Sequence, residues 1–192
     1  VTVQLPESVK LNLNSRDLLI YGNLTADNES AVDSIFSTST SAQVIVYSGG
    51  KMSLTKANIA LPASQSVQIN EGGTVELAEC EIDKGVLNRG NLKADNCTFN
   101  SYVEYDMSTG SLSGNGNTFA ADETLRLTNV SGDTVDLLDF IGEVTENAYI
   151  GLSGSMYDCT LADVSSVIPG GYKFIGTTEI RSGYTVTLEE GV

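Results

Sequence analysis

Histidine and tryptophan are absent from this sequence of 192 residues, and only 3 residues are proline. Without histidine, no Cys/His zinc site can form, and the commonest general base of enzymes is missing. The sequence also lacks an apolar run long enough for a membrane-spanning helix. These absences exclude histidine-dependent catalysis and direct membrane insertion. The small number of aromatic residues predicts a narrow core of Val, Ile, Leu and Ala.

Positive charge is scarce. The 10 Lys and Arg residues stand against 25 Asp and Glu residues, which gives a net charge of −15. Such a surface repels nucleic acids and anionic membranes, so we expect neither as a partner. It can attract basic partners or divalent cations, but the simpler interpretation is that it keeps a secreted protein soluble.

What the sequence does contain is a ten-residue pattern that recurs. Its clearest copies cover residues 50–59, 73–82, 90–99 and 110–119. In each copy glycine is first, an apolar residue third, a small or apolar residue fifth, a small residue eighth, and Ile or Phe tenth. The copies begin 23, 17 and 20 residues apart, and repetition at this length is typical of a solenoid.

The parity of the apolar residues slips by one within each copy. Positions three and five alternate with polar residues, and positions eight and ten alternate again in the opposite phase. A continuous strand keeps its parity, so the chain must bend at positions six and seven. Two short strands around a bend, in a unit of about 20 residues, predict an all-β, right-handed parallel β-helix. The alternative is a leucine-rich repeat, but its dense leucines and helical return are missing.

The ungapped alignment of the copies also predicts which side chains stack inside the coils. The expected core ladder consists of Ile59, Ile82, Phe99 and Phe119 at the tenth position and Cys80 and Cys97 at the eighth.

The chain has three cysteines, and Cys159 stands in the same local context as the other two. There is no Cys-x-x-Cys motif, and we expect all three to be free, buried thiols. Stacked coils about 5 Å apart would also bring Cys80 and Cys97 within reach of a disulfide, so the state of that pair stays open.

Residues outside the clearest copies extend the pattern in both directions. Residues 22–28 repeat residues 90–96 with one change and mark an earlier coil. We expect the excess residues of that coil to form a protruding loop within residues 29–42, around a Ser/Thr-rich run. Further strands are expected at the following places: residues 1–5, 10–13, 18–21, 44–47, 125–127, 135–137, 149–161, 172–175 and 184–188.

Counting the repeats predicts seven to nine coils in a single β-helix domain that spans residues 1–192. No linker-like change of composition divides the chain. Val1 begins directly in strand-like sequence without a signal peptide. We therefore expect either a mature chain or a segment of a longer surface protein.

Phrases such as Gly110-Ser111-Leu112…Asn117-Thr118-Phe119 resemble those of right-handed parallel β-helix proteins of bacterial and phage surfaces. This group includes autotransporter passenger domains, filamentous surface adhesins and pectin-lyase-like enzymes. The resemblance covers most of residues 22–190 and implies a secreted or cell-surface protein. One fold of this kind hosts many functions, so the resemblance says more about the fold than about the activity.

For an enzyme, the resemblance implies either a calcium cluster of acidic residues with a basic proton acceptor, or a group of aspartates with histidine nearby. The candidates in this chain are Glu76, Glu79 and Glu81 around one coil, with Arg89 and Lys93 as basic residues. Nothing in the sequence distinguishes them from ordinary surface charge. We therefore assign no catalytic, cofactor-binding or metal-binding residue.

Calcium is the one cofactor that the sequence leaves open. Asp27-Asn28 and Asp95-Asn96 recur at the same predicted bend, and calcium prefers oxygen ligands. Asp and Asn also stabilise tight turns by bonding their own backbone, which is the simpler interpretation.

The sequence favours an extracellular bacterial β-helix that acts as an adhesion or binding module without catalytic chemistry. Its partner would be a host-surface or matrix protein, or a polysaccharide. One alternative is a polysaccharide lyase or hydrolase, or a carbohydrate-binding domain, of the pectin-lyase-like fold. The other is an architectural spacer in a longer stalk.

Overall fold

Each sequence repeat folds into one coil of a parallel β-helix. The computed structural model describes the backbone of residues 1–192 and all side chains except those of residues 65 and 66, and about 8 coils stack along one axis. Every strand pair in it is parallel. The fold that the repeats predict is confirmed.

The structure contains nineteen strands. In chain order they are β1 (Thr2–Leu5), β2 (Leu11–Asn12), β3 (Leu18–Ile20), β4 (Asn23–Phe36), β5 (Val44–Val46), β6 (Lys51–Ala60), β7 (Gln65–Ile69), β8 (Thr74–Ala78), β9 (Glu81–Ile82), β10 (Gly85–Asn88), β11 (Asn91–Asp95), β12 (Thr98–Phe99), β13 (Val103–Asp106), β14 (Ser111–Asn115), β15 (Thr118–Phe119), β16 (Glu123–Asp133), β17 (Tyr149–Leu161), β18 (Tyr172–Ile180) and β19 (Val186–Leu188).

The strands form three sides of the helix. The first side stacks β1, the first halves of β4 and β6, then β8, β11 and β14. The second side stacks β2, the second halves of β4 and β6, then β9, β12 and β15. The third side is the longest and stacks β3, β5, β7, β10, β13, β16, β17 and β18. No helix in the part of the chain that the structure describes is long and apolar enough to cross a membrane.

A left-handed residue joins the first side to the second. Lys56, Glu79, Asn96 and Gly116 all have φ between 50° and 67°, and all stand at position seven of the repeat. One residue in the left-handed region of φ/ψ space turns the chain sharply. After the turn, the other set of alternating side chains points inward. The predicted bend therefore lies where the parity slips.

The tenth-position side chains lie in one interior column. Ile59, Ile82, Phe99 and Phe119 stand opposite one another in register, and each is at most 1% exposed. The rings of Phe99 and Phe119 stack with centroids 5.2 Å apart. Phe140 packs against the Phe119 ring at 6.2 Å and closes the column from the next coil. These contacts join successive coils through one continuous apolar core.

The excess residues of the second coil form bulges within β4 and then a loop at the Ser/Thr-rich run, which is shorter than predicted. Asn23–Phe36 is one long strand, and its pairing with β6 shifts between Asp27 and Val32 and again between Val32 and Ile35. Bulges of this kind absorb extra residues without breaking a ladder. Only the residues after Phe36 form a turn, which the Ser37 hydroxyl fixes by donating a hydrogen bond to the Asn14 carbonyl.

The strand predicted at residues 135–137 is also wrong, because Val135–Leu137 is a 3₁₀ turn. Leu137, Phe140 and Ile141 are buried, whereas Val135 is exposed. The buried residues are therefore spaced three and four apart, as in a helix. Val135, Asp136 and Leu137 alternate between apolar and polar, however, and this triplet alone predicts a strand. The other late strands lie close to their predicted places, and β17 matches residues 149–161 throughout.

The core column predicts a sharp difference between two adjacent residues. Phe99→Ala should lower the free energy of unfolding by about 3–5 kcal/mol, because it empties a buried site between two coils. Thr98→Ala, one residue away and facing outward, should change it by no more than about 0.5 kcal/mol. Denaturant melts of both variants make the comparison. Equal losses would show that the inward parity is misassigned.

The left-handed bend predicts a stabilising substitution. Glu79→Gly should raise the free energy of unfolding by roughly 0.5–1 kcal/mol, because the penalty for a side chain at positive φ exceeds the entropy cost of glycine. The ion pair between Glu79 and Lys56 is exposed and spans 3.9 Å, so its loss should matter little. Glu76→Gly, in the middle of β8, is the control and should destabilise. A destabilised Glu79→Gly variant would contradict this account of the bend.

Candidate binding surface

The third side of the helix carries an outward surface of unusual composition, which we call the third face. A single column runs along it, because its members stand opposite one another in register. The column consists of Leu19, Ile45, Gln68, Leu87, Glu104 and Arg126, and it is flanked by Tyr21, Tyr47, Tyr102 and Tyr149.

Apolar residues distinguish the third face from the outward surface of the first side. Leu19 is 45% exposed, and Ile45 and Leu87 are partly exposed, although none of them is needed for the core on the other side of the sheet. At the outward positions of the first half of β6 and of β8 and β11, by contrast, every residue but Ala78 is polar or charged. Apolar side chains gathered on a solvent-facing sheet are typical of a surface that contacts another molecule.

Tyrosine is concentrated at the edges of the third face. Four of the 8 tyrosines of the chain flank it, two at each edge. Tyr21 and Tyr47 stack on each other with ring centroids 4.5 Å apart and planes 12° apart. A stacked pair presents a rigid aromatic surface that loses little entropy when it binds a partner.

The charged end of the third face is organised around Arg126. Its Nε and Nη2 donate to the two carboxylate oxygens of Glu123, both at 2.9 Å, and its Nη1 lies 3.5 Å from Glu104 Oε2. The guanidinium carbon lies 3.9 Å from the centroid of the Tyr102 ring. The hydrogen bonds that Arg126 donates to the Glu123 carboxylate raise the pKa of Arg126. A bidentate pair stacked on an aromatic ring holds the guanidinium in one orientation.

A second contact between a cation and an aromatic ring lies next to the Arg126 cluster, on the C-terminal side. Lys173 Nζ lies 3.9 Å from the centroid of the Tyr149 ring. Burial and the nearby Glu123 carboxylate raise the pKa of Tyr149, so its hydroxyl stays protonated and can donate a hydrogen bond. Sequence reasoning missed the Arg126 cluster and the Lys173–Tyr149 contact. Their charged residues lie on β13, β16 and β18, and only the coil register brings these strands together.

The structure separates the three glutamates that the sequence placed around one coil. Glu76 lies on the first side, 2.6 Å from Lys51 Nζ. Glu79 occupies the exposed bend, and Glu81 lies on the second side, where it accepts a hydrogen bond from Asn100 at 2.7 Å. Because each carboxylate has its own surroundings, the three do not form a shared carboxylate site.

The two basic candidates are also apart. Arg89 is exposed just after β10 on the third side, whereas Lys93 lies on the first side with its Nζ 3.3 Å from Asp95.

The Asp-Asn dipeptides at the bend serve the backbone. Asp95 Oδ1 accepts a hydrogen bond from the main-chain N–H of Asn115 at 3.2 Å, and Asn96 is the left-handed residue of its coil. Asn28 is buried, and its amide donates to the carbonyl of Thr55 at 3.3 Å. Among the side chains that the structure describes, no group of three or more Cys, Asp or Glu is arranged to hold a metal ion.

The three cysteines are free and buried. Cys80 and Cys97 are neighbours in the eighth-position column, where the main-chain N–H of Cys80 lies 3.5 Å from Cys97 Sγ. A hydrogen bond with Cys80 and burial raise the pKa of the Cys97 thiol. Burial and the charge of Asp158 raise the pKa of the Cys159 thiol.

No protein-family model, curated protein or solved structure matches this chain. The parallel β-helix is therefore established by the strand register itself, and any function has to be argued from the surface.

Thiol reactivity tests the inward direction of the eighth position. A thiol reagent at pH 8 should leave Cys80 and Cys97 unlabelled in the native protein and label them after denaturation, because both thiols are buried out of its reach. Ser113→Cys is the control, since residue 113 is exposed and faces outward on the first side. It should react within minutes under the same conditions. Rapid native labelling of Cys80 or Cys97 would overturn the register.

Proposed function

We propose that this chain is a non-catalytic adhesion or binding module of a bacterial cell surface, and that the third face contacts its partner. The observation that carries the proposal is the row of outward apolar and tyrosine side chains on a sheet whose other side is fully occupied by the core. The location at a bacterial surface rests on the resemblance of the repeats to those of bacterial surface β-helices.

The composition of the third face fits a protein partner best. Tyrosine and arginine are enriched at protein interfaces, and they supply most of the binding energy where they are held rigidly. The third face has both, together with Leu19, Ile45 and Leu87 as apolar contacts. A host-surface or matrix protein with a flat or extended surface is therefore the preferred partner class.

The geometry supports an extended contact. Successive coils lie about 4.8 Å apart, so the third face, with eight stacked strands, is roughly 35 Å long. A rigid ladder does not have to become ordered on binding, which reduces the entropy cost of association. Its charged end also limits non-specific association, because Arg126 is already neutralised by Glu123 and Glu104.

Binding measurements on immobilised matrix proteins test the proposal. Tyr102→Ala and Leu87→Ser, both on the third face, should each weaken binding at least about tenfold. Lys93→Ser and Thr74→Ala, at outward positions of the first side, are the controls and should bind like the parent chain. Thermal melts should confirm that all four variants are folded. Binding that survives both third-face changes would rule out this surface.

The same preparation separates the alternatives. Incubation with acidic polysaccharides, with and without calcium, should release neither unsaturated products nor reducing ends. Their appearance would favour a lyase or hydrolase instead. Binding on a glycan array but not to proteins would favour a carbohydrate-binding domain. An absence of binding to either class would favour a spacer.

A further inference from the structure

The basic residues that lack an ion pair lie along the third side of the helix. Of the 10 Lys and Arg residues, six have a carboxylate oxygen no more than 3.9 Å away. The other four have no such partner among the described side chains, and all four are exposed: Arg16, Lys84, Arg89 and Lys173. Arg16 lies two residues before β3. Lys84 and Arg89 stand at the two ends of β10, and Lys173 lies on β18.

The carboxylates of the third side are in the opposite state. Eight acidic residues lie on its strands or one residue away from them, and each is bound by a main-chain N–H, an amide, a hydroxyl or an arginine of this chain. The eight are Asp17, Glu104, Asp106, Asp122, Glu123, Asp133, Asp158 and Glu179. Glu71, in the turn toward the first side, lies outside this set. The third side thus has satisfied carboxylates and unpaired cations.

Arg89 stays unpaired although an aspartate follows it in the ladder. The register of β10 and β13 places Asp106 one coil beyond Arg89. One carboxylate oxygen of Asp106 accepts the N–H of Ser108 at 3.0 Å, and the other accepts the amide of Asn129 at 3.0 Å. Because Asp106 is satisfied within its own turn and by the next coil, the Arg89 guanidinium keeps its donors for another molecule.

This asymmetry defines the chemistry that a contacting surface must supply. Partners associate best where the charges of one surface match those that the other leaves unpaired. A surface with free cations and satisfied carboxylates therefore fits a surface that carries carboxylates. Leu87 points outward between Lys84 and Arg89, so an apolar residue flanked by acidic ones would fit this coil.

From these observations we propose that the partner of the third face is a protein that contacts it through an acidic segment, whose carboxylates pair with Lys84, Arg89 and Lys173. The inference rests on the proposed role of the third face. Coils lie about 4.8 Å apart, so β10 and β18, which are four coils apart, are separated by roughly 19 Å, the span of about six extended residues. The net charge of the chain favours a basic partner, whereas the charges that it leaves unpaired select an acidic one.

Peptides of different charge test the sign of the partner. Three labelled peptides of about eight residues, with blocked termini, are long enough to span these coils. They alternate alanine with glutamate, glutamine or lysine. Fluorescence anisotropy at low salt should show the tightest binding for the glutamate peptide, and about 0.5 M salt should weaken that binding several-fold. Preference for the glutamine or lysine peptide, or binding of none, would overturn the proposal.

Charge removal tests the position of the contact. Lys84→Gln and Arg89→Gln alter exposed side chains, so both variants should fold. Each should weaken binding of the glutamate peptide about two- to fivefold, as expected when an exposed ion pair is lost. Lys93→Gln is the control, because it removes the same charge from the first side, where Lys93 pairs with Asp95. An equal loss in Lys93→Gln would show that only net charge matters and would contradict the proposal.

The matrix-protein measurements separate this inference from the proposed function. Leu87→Ser reports whether the third face is the contact, and the variants Lys84→Gln and Arg89→Gln report the charge of the partner. Weaker binding in all three supports the acidic segment. Weaker binding in Leu87→Ser alone would overturn the acidic segment and leave the third face as the binding surface. Full binding by all three variants would overturn both proposals.

Discussion

The structure depends on one backbone constraint, the left-handed residue at position seven. A strand with strict alternation can direct only one parity inward, so the two short strands of a repeat could not both contribute to the core without a switch between them. Lys56, Glu79, Asn96 and Gly116 provide that switch. The residue types differ because the constraint is on φ alone, and only two of the four are types that favour this region. Two coils therefore retain backbone strain that stacking on the neighbouring coils must offset.

Parallel stacking imposes a second constraint, because each outward residue stands about 5 Å from the residue above it. A chain with 25 acidic residues risks columns of like charge. Among the register pairs of the described strands, no carboxylate stands opposite another. Glu76 faces Lys93 and Ser53, and Glu104 faces Arg126 and Leu87. The sequence thus places its negative charge where the ladder can accept it.

Asn117 shows how the helix changes its cross-section without leaving polar groups unpaired. It occupies the eighth position, where earlier coils have Cys80 and Cys97, at the point where the first side ends with β14. Its amide donates to the carbonyls of Ala94 at 2.9 Å and Phe140 at 2.8 Å, and its Oδ1 accepts the N–H of Cys97 at 2.9 Å. One buried side chain thereby joins three coils, replacing main-chain bonds that a further strand would have made.

The parts of this structure that could be predicted are those that depend on local periodicity. Parity, repeat length and the small eighth residue indicate the coils, the bend and the core column, because each coil contacts only its neighbours. The turn at Val135–Leu137 could not be predicted, since its first three residues alternate like a strand. The Arg126 cluster could not be predicted for a different reason. It requires Tyr102, Glu104 and Glu123 to meet across two coils, and coil length varies too much for spacing alone to fix that register.

The distribution of charge and apolar surface divides the molecule into sides and ends with different physical properties. The sides carry nearly all the net charge, so they stay apart from other copies and remain free for a different partner. Core positions of the first and last strands, such as Val3 and Phe174, are exposed in the described chain, and an exposed core position lacks the apolar burial that stabilises the interior. In a solenoid the coil at each end has one neighbour instead of two, so the end coils are the least stable part of the fold. Most of the third face, by contrast, lies on strands that pair on both sides, so the surface proposed for binding rests on the best supported part of the sheet.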